Sequence, residues 1–346
     1  MLKKFVFVLL TVLIGVSYGQ NKVGTTVAQF LKIGVGSRAS GMGEAYVAMS
    51  ADASGLYWNP AGIAVAPHGE FMFVHTPWLA DISYDFVGVI APLSGVGTFG
   101  ASVTSVSMPD MPVTTEYQQT GTGEYFSAGD LAIQVSFAKS LTDRFSIGFN
   151  GKFIQERIWH MSATGMAVDV GTLFRTQFHD MRLGMSISNF GTSMTMSGRD
   201  ALIRYDADPN INGNNDQIPA YLAMDDWALP LIFRVGIALE IWRQGSSKLT
   251  VAVDALHPND NFESLNLGTE LNIANIVFIR GGWKSPFVET NSATNTNNWE
   301  RREESFTAGA GVDIPLMAGT GLKLDYSFSD FGRLKNAQRF TLNFYF

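Results

Sequence analysis

Arg339-Phe340-Thr341-Leu342-Asn343-Phe344-Tyr345-Phe346 closes the chain with an unbroken alternation of two kinds of side chain. Successive side chains of an extended strand point to opposite faces, so Phe340, Leu342, Phe344 and Phe346 form one wholly apolar face. Arg339, Thr341, Asn343 and Tyr345 form the other. Working backwards, Leu322, Leu324, Tyr326 and Phe328 alternate with Lys323, Asp325, Ser327 and Ser329. Leu249-Val251-Val253 stands against Thr250 and Asp254, and Leu265-Leu267-Leu271 against Asn266, Gly268 and Glu270. Carried back to Gly69, the pattern predicts about fourteen strands, an even number as bacterial membrane barrels require. They fall near 69–76, 83–91, 97–106, 129–139, 145–157, 165–174, 182–190, 229–241, 247–256, 263–273, 276–284, 305–314, 320–329 and 338–346. The expected fold class is all-β: a transmembrane antiparallel barrel with a small N-terminal plug.

The connections give an independent check. Barrels of this kind have short periplasmic turns and longer extracellular loops. The three long connections, near 107–128, 191–228 and 285–304, all follow odd-numbered strands. Even-side connections such as Leu141-Thr142-Asp143-Arg144 and Ala274-Asn275 are short turns. A wrong strand count would scramble that parity. The aromatic residue Phe346, ending an amphipathic strand, looks like the signal read by the outer-membrane barrel assembly machinery.

Composition agrees with strands that are wet on one side. Hydrophobic residues make up 46% of 346 and charged residues only 16%, yet mean hydropathy is a modest +0.09. After the N-terminus no apolar run approaches the roughly 20 residues of a membrane helix. Glycine (35 residues) and aromatics (12%) suit tight turns and interfacial girdles,. Trp78, Trp159, Trp227 and Trp283 lie near predicted strand ends, where such girdles sit,. There is no cysteine, hence no disulfide, thiolate metal site or lipid-anchored cysteine,. The net charge of −7 argues against nucleic acid as a partner,.

The first residues read as a secretory signal. Lys3 and Lys4 precede an apolar run, Phe5 to Val16, that is too short to span, and Ser17-Tyr18-Gly19 offers small residues for cleavage,. Three regions are therefore expected: a signal peptide (1–19), a plug segment (20–66) and the barrel (67–346). The plug segment holds Gly41-Met42-Gly43-Glu44-Ala45-Tyr46 and then Asp52-Ala53-Ser54-Gly55-Leu56-Tyr57-Trp58-Asn59-Pro60-Ala61-Gly62. Its small residues suit packing inside something narrow, and Asn59-Pro60 is a turn because proline disfavours helix at the residue before it.

Over about Val23 to Gly62 these motifs resemble the N-terminal region of the PorV/PorQ family, part of the wider group of FadL-like fourteen-stranded barrels. The resemblance implies that Asn59, Pro60 and Ala61, with Gly41, Gly43 and Asp52 of the same motif, sit in a plug within the periplasmic half of the barrel. It also implies an outer membrane of a Bacteroidetes-like, Gram-negative cell as the location. Members like PorV serve type IX secretion: they engage the translocon and accept exported proteins bearing C-terminal sorting domains. FadL-like members instead pass hydrophobic small molecules inward through a plugged barrel and a lateral opening. Both readings stay open on the residues alone.

Charges at alternating strand positions, Lys152, Asp169, Asp254, Glu270, Asp313, Lys323, Asp325 and Arg339, should face the lumen, since a midplane Lys or Arg facing lipid costs roughly 2–4 kcal/mol. A paired network holding barrel and plug together is the preferred reading, and a polar path for solute the other. For partner docking the expected residues lie on loop 191–228, where Tyr221, Leu222 and Met224 precede Trp227,. Asp208, Asn210, Asn212 and Gly213 open like a calcium loop, but Pro219 stands where a bidentate Glu is needed, so a solvated loop is expected. Gly34-Val35-Gly36 and Gly41-Met42-Gly43 each lack the third glycine of a dinucleotide fingerprint. The five histidines show no ligand-like spacing and no catalytic triad is legible,. The chain is read as a non-enzyme with no cofactor and no metal.

Overall fold

Each predicted strand forms, and the alternation that announced it decides which way its side chains face. The computed structural model describes residues 23–208, 210, 215–286, 305–317, 319–334 and 336–346. The expected signal peptide and most of the connection 285–304 lie outside the described residues. The wall consists of β1 (Glu70–Pro77), β2 (Ser83–Leu93), β3 (Gly97–Ser107), β4 (Ala128–Ser140), β5 (Phe145–Ile158), β6 (Met161–Arg175) and β7 (Arg182–Gly191). It continues with β8 (Ile232–Gln244), β9 (Ser247–Pro258), β10 (Ser264–Ile273), β11 (Val277–Pro286), β12 (Phe306–Pro315), β13 (Gly321–Asp330) and β14 (Asn336–Tyr345).

Every strand pairs antiparallel with its chain neighbours, and β14 pairs with β1, Tyr345 opposite Glu70, to close a barrel of 14 strands. Backbone bonds between Gly69 and Phe346, 3.1 and 2.9 Å, extend that seam to the last residue. Closure leaves no unpaired strand edge, the condition for strands to cross a bilayer. Burial is inverted relative to a soluble protein: Phe340 is 47% exposed on the outer face while Arg339, next to it, is 1% exposed inside.

Two strand starts differ from the expected ones by three residues or more. β6 begins at Met161 rather than 165, because the turn Trp159-His160 is only two residues long and the β5–β6 ladder runs out to Ile158↔Met161. β8 begins at Ile232 rather than 229, because Pro230 has no N–H to give a ladder and instead accepts a 3.0 Å bond from Asn189 Nδ2,.

The described long connections gather at one end of the barrel and the short turns at the other. Two of the long ones carry small hairpins, Met111–Pro112 with Tyr125–Phe126 and Leu202–Tyr205 with Ile218–Tyr221. Residues 26–66 run inside the wall. They start at the long-loop end, where Val27 N–H bonds Ala228 O at 3.1 Å, and leave at the short-turn end to enter β1. Four single turns, Gln29–Lys32, Ser37–Gly41, Gly55–Trp58 and Pro60–Val65, make up their regular structure. Their apolar side chains pack on one another and on the few apolar inward positions of the wall, such as Phe86, Ile90 and Ile154.

Candidate functional site

The inner segment seats itself by small residues and then by charge. Gly43 has φ +63° and lies against β11, and a methyl group at Gly282 would overlap Gly43 N. At Gly171 a methyl would overlap Asn59 Oδ1 in the same way. Backbone meets backbone at Gly282 and a side chain lies on backbone at Gly171, approaches that only glycine allows,.

The Asn59-Pro60-Ala61 motif has a local mechanism. Asn59 is extended, and its Oδ1 accepts the Ala61 N–H at 3.1 Å, capping the turn that Pro60 opens,. Its Nδ2 donates to Val47 O at 2.9 Å and to Thr172 O of β6 at 3.0 Å. One side chain therefore caps a turn, braces the inner segment and ties it to the wall. Thr172 lies near the short-turn end of β6, so the motif sits in that half of the barrel.

Asp52 is the centre of a second knot. It accepts from Tyr46 OH at 2.6 Å, Arg38 Nη1 at 3.0 Å and Ser54 N at 3.0 Å, and from Ser54 Oγ. Arg38 then grips Glu270 of β10 with both arms, at 2.8 and 2.7 Å. Glu270 also accepts from Arg280 of β11 at 2.7 Å, and Arg280 reaches Asp325 of β13 at 2.5 Å. The result is an alternating chain, Asp52–Arg38–Glu270–Arg280–Asp325, from the inner segment onto the wall. Bidentate guanidinium–carboxylate geometry makes such links strong and directional. Glu44 adds a separate link to Lys284 at 2.8 Å.

The remaining predicted lumen charges divide. Lys152 pairs with Asp169 at 2.7 Å and also donates to Asn189 Oδ1 at 2.8 Å. Asp313 and Lys323 lie 3.8 Å apart at the short-turn rim, partly exposed. Asp254 and Arg339 enter no ion pair among the described residues, so in the expected network of barrel and plug they act through hydrogen bonds. The Asp254 carboxylate accepts the backbone N–H groups of Tyr46 and Val47 at 2.6 and 2.8 Å. Arg339 donates to Ser40 Oγ at 2.6 Å. Both hold the inner segment through its polar groups rather than through an ion pair. Arg38, Glu44, Arg280 and Lys284 were not singled out from the sequence. Arg280 and Lys284 alternate with Ile279 and Trp283, so the facing rule could have found them; Arg38 and Glu44, in an aperiodic segment, carried no such signal.

The lumen between segment and wall keeps a cavity of about 140 Å³, bounded among others by Arg38, Asp52, Glu70, Lys248, Glu270 and Arg280. It is small and charged.

At the long-loop end, Thr26, Gln29 and Lys32 converge on Asp260 of the β9–β10 loop at 2.5, 2.7 and 3.0 Å. Burial pushes the Asp260 carboxyl up, but the bonds from Gln29, Thr26 and Lys32 outweigh it and hold the group below the ordinary aspartate range. The 191–228 loop folds over the same region: Met194 is buried against the inner segment and exchanges backbone bonds of 2.9 and 3.0 Å with Trp227. Tyr221, Leu222, Met224 and Trp227 are all exposed. They stand on two supports, Tyr221 and Leu222 on the hairpin paired with Leu202 and Ala201, Trp227 on the Met194 bridge. Trp227 is therefore a loop residue, not the strand-end residue the early start of β8 implied. Exposed Tyr117 and Tyr125 on the other hairpin loop were not anticipated. In the loop once weighed for calcium, Asp206 and Asp208 accept the backbone N–H groups of Asp208 and Asn210 at 3.0 and 3.1 Å. Residues 209 and 211–214 of it lie outside the described residues. Among the described residues no group of three or more acidic or histidine side chains is placed to hold a metal.

The sequence matches the family model of the type IX secretion system protein PorV over residues 16–243. No curated protein matches it. Among solved structures, the fold is similar to the Pseudomonas putida toluene transporter TodX, with TM-score 0.55 and 11% identity over 90% of this chain and 98% of that one. The Ralstonia pickettii toluene transporter TbuX gives 0.55 and 12%, over 90% and 97%. A Pseudomonas aeruginosa FadL homologue gives 0.53 and 12%, over 90% and 98%. At such identities the likeness concerns the fold alone, a FadL-like barrel of the outer membrane.

Proposed function

The chain belongs to the family of the type IX secretion system protein PorV, and from that premise we propose that it binds the secretion translocon and the C-terminal domains of exported proteins. The host is then a Gram-negative, Bacteroidetes-like cell, and biogenesis of the barrel passes through the outer-membrane assembly machinery. The observation that carries the reading is the inner segment itself, which the charge chain from Asp52 to Asp325 holds inside the wall, leaving the long-loop face as the surface for partners. Loops on a rigid barrel are where partners dock, and exposed aromatic side chains are the usual anchors. Tyr221, Leu222, Met224 and Trp227 are the docking residues of this reading. Transport of hydrophobic molecules is the weaker alternative. Pockets for such ligands are mostly apolar and on the order of 300 Å³ or more, against a charged cavity of about 140 Å³ between segment and wall; the apolar groove of about 550 Å³ at Phe73, Leu324 and Phe340 is bordered by outward-facing side chains.

Deleting the gene and comparing secreted and surface proteomes tests the role. Selective loss, or periplasmic retention, of proteins with C-terminal sorting domains is expected; an unchanged proteome rejects the protein as a required component. Trp227→Ala should weaken partner capture by about tenfold or more, the scale of an interface anchor. The same variant should keep an intact barrel by heat-modifiable gel migration, and loss of the barrel would sink the docking assignment.

A further inference from the structure

At the short-turn end, β8 departs from its alternation. Glu240 pairs with Thr250 but the next partners are Trp242 and Leu249, so Ile241 is one residue too many. A bulge of this kind inverts the facing of everything after it. Without the extra residue, Trp242 would point into the lumen and Arg243 out. With it, Ile241 and Trp242 both lie on the outer face, 51% and 45% exposed. Arg243, opposite Lys248, turns back to Glu240.

The charges gathered there do not balance. The single carboxylate of Glu240 serves Lys248 at 2.8 Å, Arg182 at 3.9 Å and Arg243. Nearby, Arg175 has Asp180 at 3.4 Å. Four cations thus face two carboxylates, a surplus of two positive charges on one rim. Arg175, His179, Asp180, Ile241, Trp242 and Arg243 border an open groove of about 760 Å³ between the β6–β7 turn and the end of β8. With Glu240 its border counts seven residues: the lipid-facing Ile–Trp pair and five polar or charged side chains, of which Asp180 and Glu240 are carboxylates.

We propose that this groove binds one phospholipid of the periplasmic leaflet, with its phosphate on Arg175 and Arg243 and its first methylenes on Ile241 and Trp242. The placement supports a lipid source for the phosphate. Short turns mark the periplasmic end of such a barrel, and Trp242 lies three residues from the β8–β9 turn Gly245-Ser246, the depth at which aromatic rings meet headgroups. Guanidinium forks match phosphate oxygens bidentately, and basic pockets at this depth recruit anionic headgroups. The charge surplus favours an anionic lipid over a zwitterionic one. The site faces away from the long-loop surface, so it stands or falls independently of the secretion role.

The delipidated full-length barrel in detergent, titrated with dimyristoyl phosphatidylglycerol and observed by native mass spectrometry, tests this. One tightly held lipid is expected, with affinity reduced about tenfold in Arg175→Gln/Arg243→Gln, as for loss of a charge-assisted bond. Brominated-chain phosphatidylglycerol should quench a tryptophan signal that is missing in Trp242→Phe, a readout independent of the arginine variants. Equal binding by wild type and the double variant, or no quenching assigned to Trp242, overturns the proposal. Full displacement of the lipid by equimolar inorganic phosphate also overturns it, since the site would then be one for a free anion.

Discussion

Glu270 shows how much one side chain can hold in a lumen. It is buried, it accepts both arms of Arg38 and it also accepts from Arg280. Removing one member of such a network leaves its partners as uncompensated buried charges, a loss of about 3–5 kcal/mol. Glu270→Gln should lower the unfolding free energy of the refolded barrel, read from urea titration, by that amount. Lys323→Gln, at the partly exposed rim and 3.8 Å from Asp313, should cost about 0–1 kcal/mol. Equal effects for the two variants would contradict the claim that the charge chain, not charge in general, seats the segment. Gly282→Ala should also destabilise, by about 1–3 kcal/mol of overpacking against Gly43. Asp260 adds a pH dependence at the long-loop end. Its carboxyl is held below its ordinary value of 3.8, so it contributes stability that is fully present above about pH 4 and lost as pH falls through the folded value. Protection of residues 26–32, measured against the intrinsic exchange rate at each pH, should therefore fall in acid, and Asp260→Asn should show low protection at neutral pH as well. Unchanged protection in that variant would show that the latch does not depend on the carboxylate.

Among elements, the β6–β7 seam is where the ladder depends on a side chain. The register shifts between Val168 and Val170, and Asp169 fills the gap by accepting Asn189 N–H at 2.7 Å and Asn150 Nδ2 at 2.7 Å beside its pair with Lys152. Above the seam β7 stops at Gly191, and the outer end of β6 pairs with Ser197–Gly198 of the loop instead. Asp169→Ala removes the acceptor and leaves Lys152 buried without its partner. Amide exchange at 186–191 is expected to rise well before that of the β4–β5 ladder, and uniform exchange across both would contradict the assignment. The strands themselves were legible in the sequence because period-two alternation is local, and nearly every strand has an apolar face turned to lipid. Their ends were less legible at Met161 and Ile232, where a two-residue turn and Pro230 decided them. The bulge at Ile241 had no sequence signal, since an extra Ile–Trp step in an apolar run reads like any other.

For the whole molecule, the inner segment turns a wide barrel into an obstructed one. The intact chain in planar bilayers should show little ion conductance, because residues 26–66 run inside the wall and the chain Asp52–Arg38–Glu270–Arg280–Asp325 bridges them to it. Deleting residues 26–62 should open a large, steady conductance if the wall refolds, as heat-modifiable migration would report. High conductance in the intact protein would mean that the bridge does not seal. The same obstruction argues for a protein that works through its loops rather than its lumen, and it ties the folding of the long-loop end to the segment beneath it through Val27, Met194 and Asp260.

The sequence by itself determined the barrel, the facing of its strands and the side on which its long loops lie, because alternation and loop length are written residue by residue along the chain. It also marked Asn59-Pro60-Ala61 as a turn, since proline acts on its immediate neighbour. Only the tertiary structure decided which charge meets which. Arg38 and Glu270 are 232 positions apart, and no periodicity links a residue in an aperiodic segment to one on a strand. Their meeting depends on the wall closing around the segment and on glycines such as Gly43 and Gly282 letting the two backbones touch.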